Sequence, residues 1–159
     1  MAKIVNEPNK LPTMKFKCSV EINKSREEVV KYFINPQYLG EYQDGFIRKE
    51  LVRGESCQKD AVSKMYYKQS KLDMEITETI IENNLPESLI GFYHHEHMDN
   101  YMQYKFTWLG NNKTLYESEI DYIRINWIMP RLMAILFPSM YRKQVEKWMR
   151  QFKEFVEKQ

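Results

Sequence analysis

Two titratable side chains, Glu78 and His95, fall among aromatic and methionine residues in the strand pattern of this chain. A buried carboxylate or imidazole is costly unless it has a hydrogen-bond partner, and burial can shift its pKa. Such groups suit general acid–base catalysis, with Tyr93 or Tyr104 on the same face stabilising an enolate. They equally suit a structural role, with His95 bonded to Tyr104 or to backbone and Glu78 bonded to a tyrosine hydroxyl or to water. The catalytic role of Glu78 and His95 is therefore a hypothesis, and both interpretations remain open at this point.

The histidine-rich run from His94 to His97 resembles a metal site only when it is written in a row. In a strand, His94 and Glu96 point to one side of the sheet, and His95 and His97 point to the other. Only His95, His97 and Glu78 could converge, and no second His or Cys cluster supports them. The sequence also contains no glycine-rich phosphate loop and no nucleophile elbow. We expect neither a metal nor a cofactor.

Length, charge and cysteine content narrow the classes of protein further. A chain of 159 residues is expected to form one domain with its own core. Its 24 basic and 22 acidic residues are interspersed, so no nucleic-acid partner is predicted. Cys18 and Cys57 form no metal or redox spacing, and no apolar run has the length of a membrane span or the form of a signal peptide. We expect a cytoplasmic protein that is a monomer or a weak dimer.

The hydrophobic pattern predicts one strand, two small helices, six further strands and a long C-terminal helix. Residues 1–13 are predicted to form a loose arm before a single domain over residues 14–159. Ser25 and Glu28 predict a capping box at the start of the first helix, and a second helical turn is expected over 38–43. Short turns favour antiparallel pairing. The strands are predicted at 14–22, 46–52, 61–68, 72–82, 89–98, 101–109 and 114–125.

The C-terminal residues carry the strongest helical signal in the chain. A short helix is expected to begin near Pro130, and the long one near Ser139, after the break at Pro138. One helix after about a hundred residues of strands suggests a curved antiparallel sheet closed by that helix, with space between them for a ligand. The apolar stripe of the long helix consists of Tyr141, Val145, Trp148, Met149, Phe152, Phe155 and Val156.

Turn residues predict how the strands pair and which residues share a face. Two-residue turns are predicted at Asp99-Asn100 and Gln69-Ser70, a four-residue turn at 83–86 and a three-residue turn at 111–113. These pairings separate an apolar face from a charged one, with Glu78, His95, His97 and Ser118 as polar members of the apolar face. The predicted apolar members are Met65, Tyr67, Leu72, Met74, Ile76, Ile80, Tyr93, Met102, Tyr104, Phe106, Trp108, Tyr116, Ile120 and Tyr122.

Several segments together resemble the START/SRPBCC superfamily, which includes birch-pollen-allergen-like proteins and a polyketide cyclase/dehydrase and lipid-transport group. The segments are residues 20–25 leading into 29–36, residues 74–80, the strand around Gly91, and the closing helix over 149–157. The resemblance covers roughly residues 14 to 157. It implies an α+β helix-grip fold, a seven-stranded antiparallel sheet wrapped around the C-terminal helix. The superfamily holds carriers, cyclases, chaperone activators and oxygenase subunits, so it transfers no catalytic residues.

The 10 Met, 11 Tyr and 8 Phe indicate either a filled aromatic core or an adaptable cavity wall. We expect a binding or carrier protein for a small apolar molecule, such as a lipid, a fatty acid or an aromatic or polyketide-like metabolite. The alternatives are a polyketide cyclase/dehydrase-like enzyme that uses acid–base residues in the same cavity, and a protein-interaction or stress-response module. The expected ligand-binding residues are Met65, Tyr67, Met74, Ile76, Glu78, Tyr93, His95, Tyr104, Phe106, Ser118, Ile120, Tyr122, Met133, Trp148 and Met149.

Overall fold

The computed structural model describes residues 14–69, 72–126 and 138–159. The predicted arm at 1–13 and the predicted short helix near Pro130 lie outside these ranges. The division of the chain into an arm and one domain therefore stays a prediction.

The described elements follow the predicted order, and they confirm an α+β fold with two small helices after the first strand. A short 3-10 turn over Pro36–Tyr38 joins the two small helices. The elements are β1 (Met14–Ile22), α1 (Arg26–Phe33), α2 (Leu39–Tyr42), β2 (Phe46–Arg53), β3 (Val62–Gln69), β4 (Leu72–Asn84), β5 (Ser88–His95), β6 (Met98–Gly110), β7 (Lys113–Ile125) and α3 (Pro138–Glu157).

Helix α1 begins at the predicted capping box. The Ser25 hydroxyl accepts the backbone N–H of Glu28 at 3.3 Å, and the Glu28 carboxylate accepts the backbone N–H of Ser25 at 3.4 Å. These two bonds satisfy backbone donors that have no partner within the helix. The hydrogen bonds with Ser25 lower the pKa of Glu28, so the cap keeps its negative charge at neutral pH. The negative charge also suits the positive end of the helix dipole.

The described strands form one curved antiparallel sheet in the order β1-β7-β6-β5-β4-β3-β2. Strands β2 to β7 pair with their neighbours in sequence, as short turns require. Strand β1 instead crosses to the far side and pairs with β7, where Met14 lies opposite Tyr122 and Ile22 lies opposite Thr114. The two strands farthest apart in sequence thus become neighbours, and β1 and β2 are the two edges.

The predicted pairing registers were wrong, but apart from 82–84 in β4 and the two ends of β6 each differs from the observed one by an even number of residues. His95 lies opposite Met98 rather than Tyr104, because the turn between β5 and β6 is Glu96-His97 and not Asp99-Asn100. Asp99 stays in the strand, where its carboxylate accepts the Arg124 guanidinium. Since side chains alternate with period two, an even shift leaves each residue on its predicted face.

The other three registers shift by two residues for local reasons. Gln69 pairs with Leu72, so the turn falls one residue later than predicted. Asn83 and Asn84 stay in β4, so the turn to β5 falls later than predicted, and an irregularity between Ile80 and Glu82 reduces the resulting shift from three residues to two. Asn111 and Asn112 adopt left-handed conformations with φ of 49° and 55°. They form a two-residue turn that returns Lys113 to the strand.

Trp108 is the clear exception among the residues predicted to lie inside. It lies opposite Thr114 near the end of β6, yet it is 65% exposed. Its cross-strand neighbour Thr114 is fully buried, and a register irregularity between Trp108 and Gly110 falls at this point of β6. The side chain of Leu72, also predicted inside, lies outside the described residues.

Helix α3 packs against β1 and α2 through the predicted apolar stripe. Phe152 is the centre of this contact, because its ring lies 4.7 Å from the Tyr42 ring and 5.7 Å from the Tyr116 ring between centroids. Met149 and Val156 are also buried. Nearer the start of α3, Tyr141 and Val145 are only partly buried and line a cavity, and the Tyr141 ring contacts the Tyr122 ring of β7 with their centroids 5.4 Å apart.

Candidate functional site

A cavity of about 810 Å³ lies between the sheet and helix α3. Its walls come from the inner faces of β2 to β7, from the α1–α2 region and from one side of α3. Most of the lining side chains are aromatic, aliphatic or methionine, and polar groups are few. Ligand sites commonly have this size and character.

The structure brings together most of the residues that the sequence predicted as ligand-binding. Phe106 is an exception, because it is buried beneath the cavity wall, with its ring 5.0 Å from the rings of both Phe33 and Tyr116. Met133 lies outside the described residues. The members that line the cavity are Met65, Tyr67, Met74, Ile76, Glu78, Tyr93, His95, Tyr104, Ser118, Ile120, Tyr122, Trp148 and Met149.

A hydrogen-bonded chain of four side chains crosses this apolar wall. The Lys49 ammonium pairs with one oxygen of Glu78, and the Tyr93 hydroxyl donates to the other at 2.9 Å. The Tyr104 hydroxyl lies 2.9 Å from the Tyr93 oxygen. The Tyr104 hydroxyl also lies 3.3 Å from the Met102 sulfur. With the single Tyr93 proton directed at Glu78, the Tyr93 oxygen can only accept, and it is a better acceptor for the Tyr104 proton than the thioether is. The predicted bond between Glu78 and a tyrosine is therefore present, and Lys49 adds an ion pair to it.

Gly91 makes room for this arrangement on β5. A Cβ atom at that position would lie 2.9 Å from the Tyr93 ring and 3.0 Å from its hydroxyl oxygen. Real Cβ atoms do not approach other atoms so closely, so a side chain here would displace Tyr93. The glycine therefore helps to direct the Tyr93 hydroxyl toward Glu78.

The tyrosines around Glu78 remain protonated at neutral pH. Burial raises the pKa of Tyr93 and Tyr104, and the negative charge of Glu78 raises it further. The same two causes act on Tyr42 and Tyr67. The phenols can therefore donate hydrogen bonds. They are not ionised at neutral pH, so they do not act as bases.

His95 lines the cavity near the turn between β5 and β6. Its Nδ1 atom accepts the backbone N–H of His97 at 3.2 Å, which matches the predicted backbone bond. A neutral imidazole that accepts at Nδ1 carries its proton on Nε2. Burial lowers the pKa of His95, and the neighbouring His97 lowers it further. His95 is thus a neutral donor at pH 7.

We expect His95 to titrate below its ordinary pKa of 6.5 and to carry its proton on Nε2 above that pH. The unfolded chain then takes up the proton that charges His95 more readily than the folded chain does. The stability contributed by neutral His95 is therefore present above pH 6.5 and is lost as the pH falls through the lowered pKa. A long-range ¹H–¹⁵N NMR titration checks both points, with His95→Gln to assign the signals. An Nδ1–H tautomer, or a pKa above 6.5, would contradict this assignment.

His94 belongs to a different group on the sheet. Its Nδ1 lies 2.6 Å from Asp99, which also pairs with Arg124, and the Arg124 guanidinium donates to the His95 carbonyl at 2.8 Å. This cluster ties β5, β6 and β7 together, so its role is structural. In the part of the chain that the structure covers, no group of three His, Cys, Asp or Glu side chains could hold a metal ion.

Lys49 is the main member of the site that sequence reasoning missed. By simple alternation from the inward Phe46, it belongs on the outer face. A register irregularity between Phe46 and Arg48 turns Lys49 inward, opposite Met65. Gly45 directly precedes Phe46, but within 46–48 no turn residue or glycine signals that bulge in the sequence.

Other lining residues were missed although the sequence carried a signal for them. Met102, Ile80 and Tyr116 were placed on the inner face but not assigned to the site. Tyr141 and Val145 were assigned to the helix stripe alone, although the stripe faces the cavity at the start of α3.

Two buried hydroxyl groups on the cavity wall, those of Tyr42 and Ser118, have no hydrogen-bond partner among the described residues. Ser118 comes from the middle of β7, and Tyr42 comes from α2 on the other side of the cavity. Buried polar groups are almost always paired, so each such group needs an explanation. Solvent does not reach either oxygen atom, so a neighbouring side chain would have to move before a molecule in the cavity could bond to them.

Comparison with known proteins shows which solved structures have a similar fold. No protein-family model and no curated protein matches the sequence. The structure is similar to the Zhui aromatase/cyclase from Streptomyces sp. R1128, with a TM-score of 0.73 and 8% identity over 91% of this chain and 94% of that chain. It is similar to ginseng major latex-like protein 151 from Panax ginseng, with a TM-score of 0.69 and 16% identity over 91% of this chain and 97% of that chain.

A third similar structure is a START superfamily protein from Mycobacterium smegmatis, with a TM-score of 0.63 and 10% identity over 83% of this chain and 94% of that chain. At such low identities the likeness concerns the fold. Among the described helices, none is long and apolar enough to cross a membrane. The seven-stranded sheet, the pair of small helices and the long closing helix thus give this chain the helix-grip fold of the START/SRPBCC superfamily.

Proposed function

We propose that this protein binds and carries a small, largely apolar molecule in the cavity between the sheet and helix α3. The observation that carries the proposal is the cavity itself, about 810 Å³ of space lined mainly by apolar side chains. Protein interiors are packed so closely that voids much larger than a water molecule are few. A space of this size, kept open beside a well-packed core around Phe152, is consistent with a binding site.

The fold neighbours support a ligand site but do not name the ligand. One of them is an aromatase/cyclase and another is a START superfamily protein, so the same fold serves proteins with different tasks. Catalysis in this chain has weaker support than binding. Glu78 is already bonded to Lys49 and Tyr93, and the Nδ1 atom of His95 is occupied by a backbone N–H. Neither group is poised as a general base.

Native mass spectrometry of the freshly purified protein, followed by denaturing extraction, tests the proposal. A retained lipid or aromatic metabolite would support binding and identify the chemical class of the ligand. An empty protein that also fails to bind neutral apolar dyes would contradict the proposal, and attention would move to protein partners.

Filling the cavity is expected to abolish ligand binding. In the double variant Ile76→Trp/Met102→Trp, two indole rings would enter the cavity from neighbouring parts of its sheet wall. Binding of the apolar dye Nile red, measured by fluorescence, should fall by about tenfold or more, since the occupied space is no longer available.

The matched control places the same two substitutions on the outer face. Thr77 and Gln103 are the next residues along β4 and β6, and their side chains point away from the cavity. Thr77→Trp/Gln103→Trp should leave Nile red binding unchanged. Equal loss in both double variants would show that the dye does not bind in the cavity.

A further inference from the structure

The charges on the cavity wall cancel. Among the described residues that line the cavity, the only ones with a formal charge at neutral pH are Lys49 and Glu78, and they are paired with each other. Their side chains are 16% and 8% exposed, so water screens this pair poorly. The nearby phenols are neutral, and so is His95 at pH 7.

A ligand with a carboxylate would find no unpaired cation on the described part of this wall. It could approach Lys49 only by competing with Glu78, and it would then place two negative charges next to each other in an apolar space. A buried charge without a partner is strongly unfavourable. The charge distribution therefore disfavours anions.

The same wall is well suited to uncharged oxygen atoms. The side chains of Gln43 and Gln144 line the cavity, and each carries a neutral amide that can donate and accept hydrogen bonds. The Asn100 side chain also lines the cavity and offers an amide. A ligand hydroxyl or carbonyl could bond to such groups without bringing a charge into the apolar space.

We infer that the cavity selects an uncharged ligand, an apolar body bearing hydroxyl or carbonyl oxygen, and rejects the corresponding carboxylate. This inference rests on the proposed binding function and specifies its ligand class. It removes fatty acids from the expected ligands and keeps long-chain alcohols and neutral polycyclic or polyketide-like molecules.

The test compares 1-dodecanol with dodecanoate, which share one chain length and differ in the charged group. Each displaces Nile red from the wild-type protein at about pH 8, where the carboxylate is ionised. Dodecanol should bind at least about tenfold more tightly, because the carboxylate would remain without a partner. Equal or tighter binding of dodecanoate would overturn the inference and leave the proposed function intact. If the protein bound none of the three compounds, the proposed function itself would fail.

A matched pair of variants links this selectivity to the ion pair. In Glu78→Gln, Lys49 becomes an unpaired cation on the described wall, so the preference should shift toward dodecanoate by about tenfold or more. In Lys49→Gln the cation is absent, and no such gain should occur. Circular dichroism would confirm that each variant is folded. If Glu78→Gln does not fold, the wild-type ratio of the two affinities still decides the inference. An unchanged preference in folded Glu78→Gln would contradict the role of the ion pair.

Discussion

Replacing Phe152 with alanine is expected to destabilise the protein by about 3–5 kcal/mol. Phe152 is 1% exposed, and its ring contacts Tyr42, Tyr116 and Phe33, with the Phe33 centroid 6.1 Å away. The substitution removes the apolar surface that joins α3 to α2 and the sheet. Since Phe152 also borders the cavity between the sheet and α3, the space that it leaves would enlarge an existing void that the neighbouring side chains do not fill.

Urea unfolding followed by circular dichroism measures this loss. Glu154→Ala is the control on the same helix, because Glu154 is exposed and its substitution should change the free energy of unfolding by less than about 0.5 kcal/mol. A loss below about 1.5 kcal/mol for Phe152→Ala would show that the helix–sheet contact is held elsewhere along α3.

The burial of Phe152 could be predicted from the sequence, because the apolar stripe of helix α3 is set by residues close together in the chain. Apolar residues at steps of three and four over about four turns define its buried face with no knowledge of the partner. The capping box at Ser25 is equally local. Both were predicted with the correct position, and the ends of α3 differ from the prediction by one or two residues.

The side of the sheet to which each residue points was more predictable than the residue that lies opposite it on the next strand. Alternation fixes which residues point inward, whereas the register depends on which residues turn. Asp99 and Asn100 have typical turn composition, but Arg124, from a strand 25 residues away in sequence, holds Asp99 within β6. This tertiary contact outweighed the local turn preference. The inner-face residues were still assigned correctly, because the register error was an even number of residues.

The composition of the site was less predictable where it depended on irregular backbone. Glu78 stood out as a carboxylate among apolar residues, and its tyrosine partner was expected. Its cationic partner was not, because a bulge in β2 reverses the direction of Lys49. The neutrality of the cavity wall, which decides the expected ligand class, could therefore not be predicted from alternation alone.

Breaking the Lys49–Glu78 pair from either side is expected to cost about 3–5 kcal/mol in the free energy of unfolding. Glu78→Leu leaves the Lys49 ammonium without a partner and removes the acceptor of the Tyr93 hydroxyl. Lys49→Met leaves the Glu78 carboxylate in an apolar wall with only Tyr93 to bond it. The double variant Lys49→Met/Glu78→Leu leaves no charge, so it should be much closer to the wild type than either single variant.

Urea unfolding of the four proteins gives the interaction free energy of the pair. Lys64 and Glu75 supply the control, since they form a 2.7 Å ion pair across the neighbouring strands with side chains 40% and 46% exposed. Water screens that pair, so its interaction free energy should be below about 1 kcal/mol. A value as small for Lys49–Glu78 would show that water in the cavity solvates the charges. A charged ligand would then meet a hydrated wall, and the expected preference for uncharged molecules would lose its physical basis.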